Sequence, residues 1–231
     1  TREGVRFVPS LVSSLKMDGD NIVATLRNSD EIRGDRLLVA TGRKPNVDTL
    51  GLENAGVVFD SSGIQVDKHL RTNVRHIFAV GDVLAGPQFT HNSNFQGATA
   101  AQNALFPVIN SVGIEDELMP WVTYTEPEVA HVGLTEAQAR VRYDDDFKVY
   151  FYPMTGSDRG HTEGDTEGFI KIIHRNGRMI GVTIVANRAG EMLTEFTLVM
   201  KNKLTLRQMI GAIHAYPTYS ETVYRAVSYM L

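Results

Sequence analysis

The chain has 231 residues, of which 42% are apolar and 22% charged, enough to bury one large core or two smaller ones and too apolar for general disorder. The net charge of −4, with no Lys/Arg cluster, argues against a nucleic-acid-binding surface. With no cysteine, a disulfide framework, a thiolate metal site and a cysteine nucleophile are excluded within this chain.

The opening "TREGVRFVPS" has no initiator methionine and runs directly into strand-like sequence, so a fragment of something longer is expected. Residues 5–40 read as a run of strands punctuated by turn chemistry at Asp18-Gly19 and Asn28-Ser29-Asp30. "RLLVAT" (36–41) has the nearly continuous apolar pattern of a strand buried on both faces, and Gly42 follows where the chain can turn or approach a ligand closely. Residues 43–75 read as loop with one short strand, "GIQVD". A second buried strand, "HIFAVGD" (76–82), ends in Gly-Asp, and a helix is expected across "NSNFQGATAAQNALFPVI".

From about Met119 short strands and helices alternate: "WVTYT", "EVAHVGL", a helix from Thr135, "FKVYFYP", "GFIKIIHR" and "RMIGVTIVA". Asn176-Gly177 joins the last two as a tight hairpin. A helix over 188–203 places Ala189, Met192, Leu193, Phe196, Val199 and Met200 on one face, and a final helix starts near 219. The second half therefore reads as an antiparallel sheet with helices packed to one side. No apolar run is long enough to cross a bilayer and no signal peptide is legible, so no membrane partner and a cytoplasmic location are expected.

Several clusters have ordinary explanations. The histidines lack the H-x-x-x-H spacing of a helical metal site. "YDDDF" (143–147) reads as a solvated turn, because the rest of a calcium-loop pattern is missing. "TGSDRGHTEGDTEG" (155–168) reads as a mobile loop in which Arg159 and His161 can face a ligand. "VATGRKPN" (39–46) alone reads as a strand exit. In "TNVRHIFAVGD" (72–82), Asp82 stands at the carboxyl end of a strand, either as a ligand for sugar-like hydroxyls or as the cap of the next turn.

Taken together, "ATGRKPNVDTLGLENAGV", "GIQVDKHLRTNVRHIFAVGDV", "VTYTEPEVAHVGLTEAQA" and "HAYPTYSE" resemble the C-terminal half of the pyridine nucleotide–disulfide oxidoreductases. That family includes dihydrolipoamide dehydrogenase, glutathione reductase and mercuric reductase. The resemblance implies an α/β plus α+β protein. Residues 1–47 would be the tail of the NAD(P)-binding domain, 48–118 the tail of the FAD-binding and central domain, and 119–231 an interface domain forming a homodimer. It also implies FAD and NAD or NADP as cofactors, and a small-molecule or disulfide substrate. Gly81 and Asp82 match the segment that binds the FAD ribityl or phosphate region, and Thr90 and His91 the helix entrance facing the flavin. Gly42 and Arg43 match the end of the nicotinamide-cofactor domain. No G-x-G-x-x-G loop and no redox cysteine pair occur. A truncated enzyme, inactive by itself, explains these absences; the alternative is a non-catalytic dimerisation module.

The stretch "AIHAYPTYSET" (212–222) is where the pattern departs from the family. The residue before the proline serves as acid–base histidine in disulfide-reducing members, oriented by a glutamate downstream. Here that position is Tyr216, with Pro217 and Glu221 in place, and His214 matches the other histidine of "H-x-H-P". A free histidine titrates near 6.5 and a free tyrosine near 10, a mismatch of roughly 4 kcal/mol for forming the base at neutral pH. The departure favours the mercuric reductase-like branch. Tyr216 either touches substrate or is an interface aromatic. Thr218 and Glu221 also fit a capping box at the start of the last helix.

Overall fold

A computed structural model describes residues 4–106 and 112–231. The chain divides into two compact units, residues 1–44 and 45–231.

The first unit is an antiparallel meander of β1 (Val12–Asp18), β2 (Asn21–Leu26) and β3 (Glu31–Gly34). Gly19 and Ser29 take positive φ in its two turns, where the sequence marks turn chemistry. Only the central strand β2 buries side chains, Val23 and Leu26. The strand expected at 36–41 does not form. Leu38 is 89% and Val39 69% exposed, and no described strand pairs with them. Apolar patterning alone cannot make a strand: the backbone amides need a ladder partner.

In the second unit, residues 45–106 and 112–118 surround a small core of Val47, Leu52, Val57, Ile64, Leu70, Ala79, Leu84 and Ala100. β4 (Phe59–Asp60) and β5 (Gly63–Ile64) form a minimal hairpin, the only part of "GIQVD" that is strand. Residues 81–85 press against it so closely that a Cβ on Gly63 would lie 2.4 Å from the Val83 carbonyl oxygen. "HIFAVGD" is likewise not the expected buried strand. It makes one isolated bridge, Arg71 to Phe78, and then a 3-10 turn at Gly81–Val83. The helix α1 (Thr90–Leu105) forms as expected; the end of the segment expected to be helical, from 107, lies outside the described residues.

Residues 119–231 build one sheet from β6 (Trp121–Thr123), β7 (Glu128–Gly133), β8 (Lys148–Pro153), β9 (Phe169–Arg175) and β10 (Arg178–Ala186). The order is β6-β7-β10-β9-β8, and every pairing is antiparallel. Asn176 (φ 51°) and Gly177 (φ 74°) make the two-residue turn between β9 and β10, the conformation for which Asn-Gly is suited. Ala130, Val132, Ile170, Ile172, Val182 and Ile184 point to the main core. Over them pack α4 (Ala189–Lys201), α5 (Leu206–Met209) and α6 (Tyr219–Ser228). A register shift between Met179 and Gly181 breaks the alternation of β10. Met179 therefore joins the main core, while Ile180 joins Leu134, Ala139 and Ile173 in a smaller cluster. There α2 (Glu136–Tyr143), closed at its start by a Thr135–Gln138 capping box, covers part of the opposite face.

Residues 155–168, expected to be loop, contain α3 (Asp158–Glu163). Ser157 caps it by accepting from the Gly160 amide, and Gly164 ends it in the left-handed region. No helix among the described residues is long and apolar enough to cross a membrane.

Candidate functional site

Gly42 and Arg43 are exposed at the end of the first unit, and Gly42 has φ 106°, a conformation that favours glycine. The other cofactor-facing candidates converge at the start of α1. The Gly81 amide donates to Gln96 Oε1 at 2.7 Å, which ties the 3-10 turn to the helix. Asp82 is exposed and accepts a weak 3.5 Å hydrogen bond from Ser93 Oγ. The N-cap of α1 is Phe89, which has no side-chain acceptor, so the first-turn amides and the positive end of the helix dipole are not capped by it. Thr90 is exposed at the first position. The His91 ring stacks on Phe89 and places Nε2 2.7 Å from the Pro120 carbonyl oxygen. A carboxylate next to an open helix N-terminus can accept from hydroxyls while the amides meet an anionic edge.

The second candidate site is the loop before α6. Thr218 caps the helix, accepting from the Glu221 amide at 3.1 Å. The reciprocal half of the expected capping box is not made: the Glu221 carboxylate instead receives Arg225 Nε, one turn along α6. Glu221 is 9% exposed, and its second oxygen, Oε2, has no partner. Arg225 also reaches Asp158 on α3 at 2.6 Å, and this guanidinium holds the Asp158 carboxyl below the usual carboxylate range. The Tyr216 hydroxyl adds to that lowering, while the Tyr216 residue as a whole is 68% exposed.

His214 points away from this cluster. Its Nδ1 faces the Ala212 carbonyl at 3.0 Å, its Nε2 faces Glu195 on α4 at 2.8 Å, and its ring packs on Tyr224. Glu221 and Asp158 are thus joined through Arg225, whereas His214 has both nitrogens engaged elsewhere. Sequence reasoning missed Arg225 and Asp158. The i,i+4 spacing of Glu221 and Arg225 was a usable signal; nothing in the sequence joins either to Asp158.

The other clusters are ordinary. Asp145 pairs with Arg140 at 2.7 Å and Asp146 with Arg175 at 2.6 Å. Arg159 pairs with Glu163, and His161 Nε2 meets the Thr155 carbonyl oxygen at 2.8 Å. No group of metal-ligating side chains occurs among the described residues.

The family described as "Pyridine nucleotide-disulphide oxidoreductase, dimerisation domain" matches residues 119–227, and "Pyridine nucleotide-disulphide oxidoreductase" matches residues 1–97. Dihydrolipoyl dehydrogenase of Bacillus subtilis is 35% identical over 215 residues, covering 90% of this chain and 44% of its own length. The enzyme of the same name from Mycobacterium tuberculosis is 34% identical over 218 residues, covering 92% of this chain and 47% of its own. The chain thus spans about half the length of the curated relatives it matches. Among solved structures, the HOCl-induced flavoprotein disulfide reductase RclA of Escherichia coli superposes with a TM-score of 0.81 at 27% identity, over 95% of this chain and 50% of that one. LpdA of Mycobacterium tuberculosis gives 0.92 at 24% identity over all of this chain and 50% of its own, a likeness of fold. With both family descriptions matched in order along the same polypeptide, the chain belongs to the pyridine nucleotide–disulfide oxidoreductases.

Proposed function

We propose that this chain is the C-terminal half of an FAD-dependent oxidoreductase that takes reducing equivalents from NAD(P)H and delivers them to a disulfide or a metal ion. Residues 1–47 would then belong to the NAD(P)-binding domain, with Gly42 and Arg43 at its end. Residues 48–118 would belong to the FAD-binding and central domain, and 119–231 to the interface through which two copies pair. The exposed apolar run Leu37–Val39 supports the first assignment, since such surface in a folded protein is normally covered.

The observation that carries the reading is Asp82 beside the uncapped start of α1. FAD fits these residues: Asp82 would accept from ribityl hydroxyls, and the amides of Thr90 and His91 would face the flavin pyrimidine edge. Bound there, FAD would pass electrons between the nicotinamide and the acceptor. Negative charge developing on that edge would be stabilised by the helix N-terminus. Tyr216 would meet the acceptor, with Glu221 beneath it at the start of α6; His214, turned to Glu195, would take no part. The acceptor includes metal ions because Tyr216 is a poor base, and because one solved relative, RclA, is described as a Cu(II) complex. We place the reaction in the cytoplasm, where NAD(P)H is available as donor.

Two measurements test this. The isolated chain should elute as a dimer on sizing chromatography and show no NAD(P)H oxidation. The full-length protein should oxidise NAD(P)H with a disulfide or metal-ion acceptor. A monomeric chain counts against the interface, and turnover by the chain alone contradicts the division of labour.

A further inference from the structure

Arg225 sits at the centre of the tail cluster, and the proposed electron transfer gives it no task. Its Nε donates to Glu221, its Nη2 to Asp158 at 2.6 Å and its Nη1 to the Gly156 carbonyl at 3.4 Å. A planar guanidinium with several donors holds three acceptors in a set geometry, which a flexible ammonium cannot do. The titratable groups facing it are Glu221 on its own helix α6, Asp158 from α3 and Tyr152 from β8, and the Tyr216 hydroxyl and His161 act on Asp158.

An acid–base pair needs its carboxylate on the other member's ring. Here the carboxylate at 221 turns along its own helix to Arg225. The buried Glu221 Oε2 is left without a donor, the acceptor such a pair would use. We propose that Arg225 is a positioning residue that withholds Glu221 from position 216, so that this tail carries no carboxylate-oriented acid–base pair. The inference rests on the site assigned above and gives that assignment its chemical content: the tail does not relay a proton through a carboxylate-oriented base.

The test is a titration of an imidazole placed at position 216 by Y216H, followed by NMR in the isotope-labelled chain. It needs neither flavin nor acceptor, so it is decided separately from whether the full-length protein oxidises NAD(P)H. The readout is the shift in the imidazole midpoint caused by adding E221Q, measured with and without R225M. With Arg225 present, E221Q should move the midpoint by less than about half a unit, because the carboxylate is engaged elsewhere. With R225M, Glu221 is released and E221Q should lower the midpoint by about one unit or more. R225K keeps the cation but loses the planar fork; it should give an intermediate shift and serves if the R225M chain does not fold. Equal E221Q shifts with and without the Arg225 substitution, whether large or absent, overturn the proposal.

Discussion

Asp158 is the residue through which the tail cluster can be read out in stability. Arg225 depresses its carboxyl, and the Tyr216 hydroxyl adds to the effect. A carboxyl lowered on folding contributes stability above its unfolded value, near pH 3.9, and that contribution is lost as pH falls through the folded value. Asp158→Asn should therefore lower the urea midpoint at pH 7, and its gap from the parent chain should close as pH drops below about 4. A gap of the same size at both ends would place the effect in packing instead of charge. Glu221 was legible as a candidate because of its spacing from Pro217. Its actual partner was not foreseen, since a family pattern says where a carboxylate sits and not which cation competes for it. His214 illustrates the same limit: its position in "IHAYP" matches a family histidine, yet Glu195, on a different helix, fixes its direction.

Elements defined by their own local chemistry were readable, and those defined by distant partners were not. The Asn176-Gly177 turn follows from two residues that both adopt positive φ, and α4 follows from a periodic apolar face that buries Met192, Leu193 and Phe196. The runs at 36–41 and 76–82 have the composition of buried strands but lack described strands to pair with. α3 was missed because its six residues, "DRGHTE", carry no apolar period, and it is held instead by Ser157 and Gly164. Two glycines flanking β9 separate local from tertiary demands. At Gly177, φ is 74° and nothing lies within 4 Å of a built Cβ, so Gly177→Ala should cost only about 1–2 kcal/mol of backbone strain. At Gly168, φ is 112° and a Cβ would lie 1.8 Å from the Val185 carbonyl oxygen. Gly168→Ala should therefore cost more than about 4 kcal/mol or prevent folding. Urea midpoints of the two variants check the ranking, and equal losses would contradict the register of β9 on β10.

At the scale of the whole molecule, the chain joins two kinds of surface. One is the start of α1, where Asp82 and an open helix N-terminus suit an anionic, hydroxyl-bearing cofactor. The other is the sheet and helices that follow residue 119, of which residues 119–227 match a dimerisation domain and include the Tyr216 loop. The curated relatives matched are about twice as long, so the proposed chemistry is a property of the full-length protein. The direct measurement is an anaerobic titration of that purified protein with NADH and NADPH, followed by flavin absorbance. The expected result is about one FAD per chain, bleached by one or both nucleotides, with Asp82→Ala weakening flavin retention. A full-length protein that is colourless, or whose flavin neither nucleotide reduces, would contradict it.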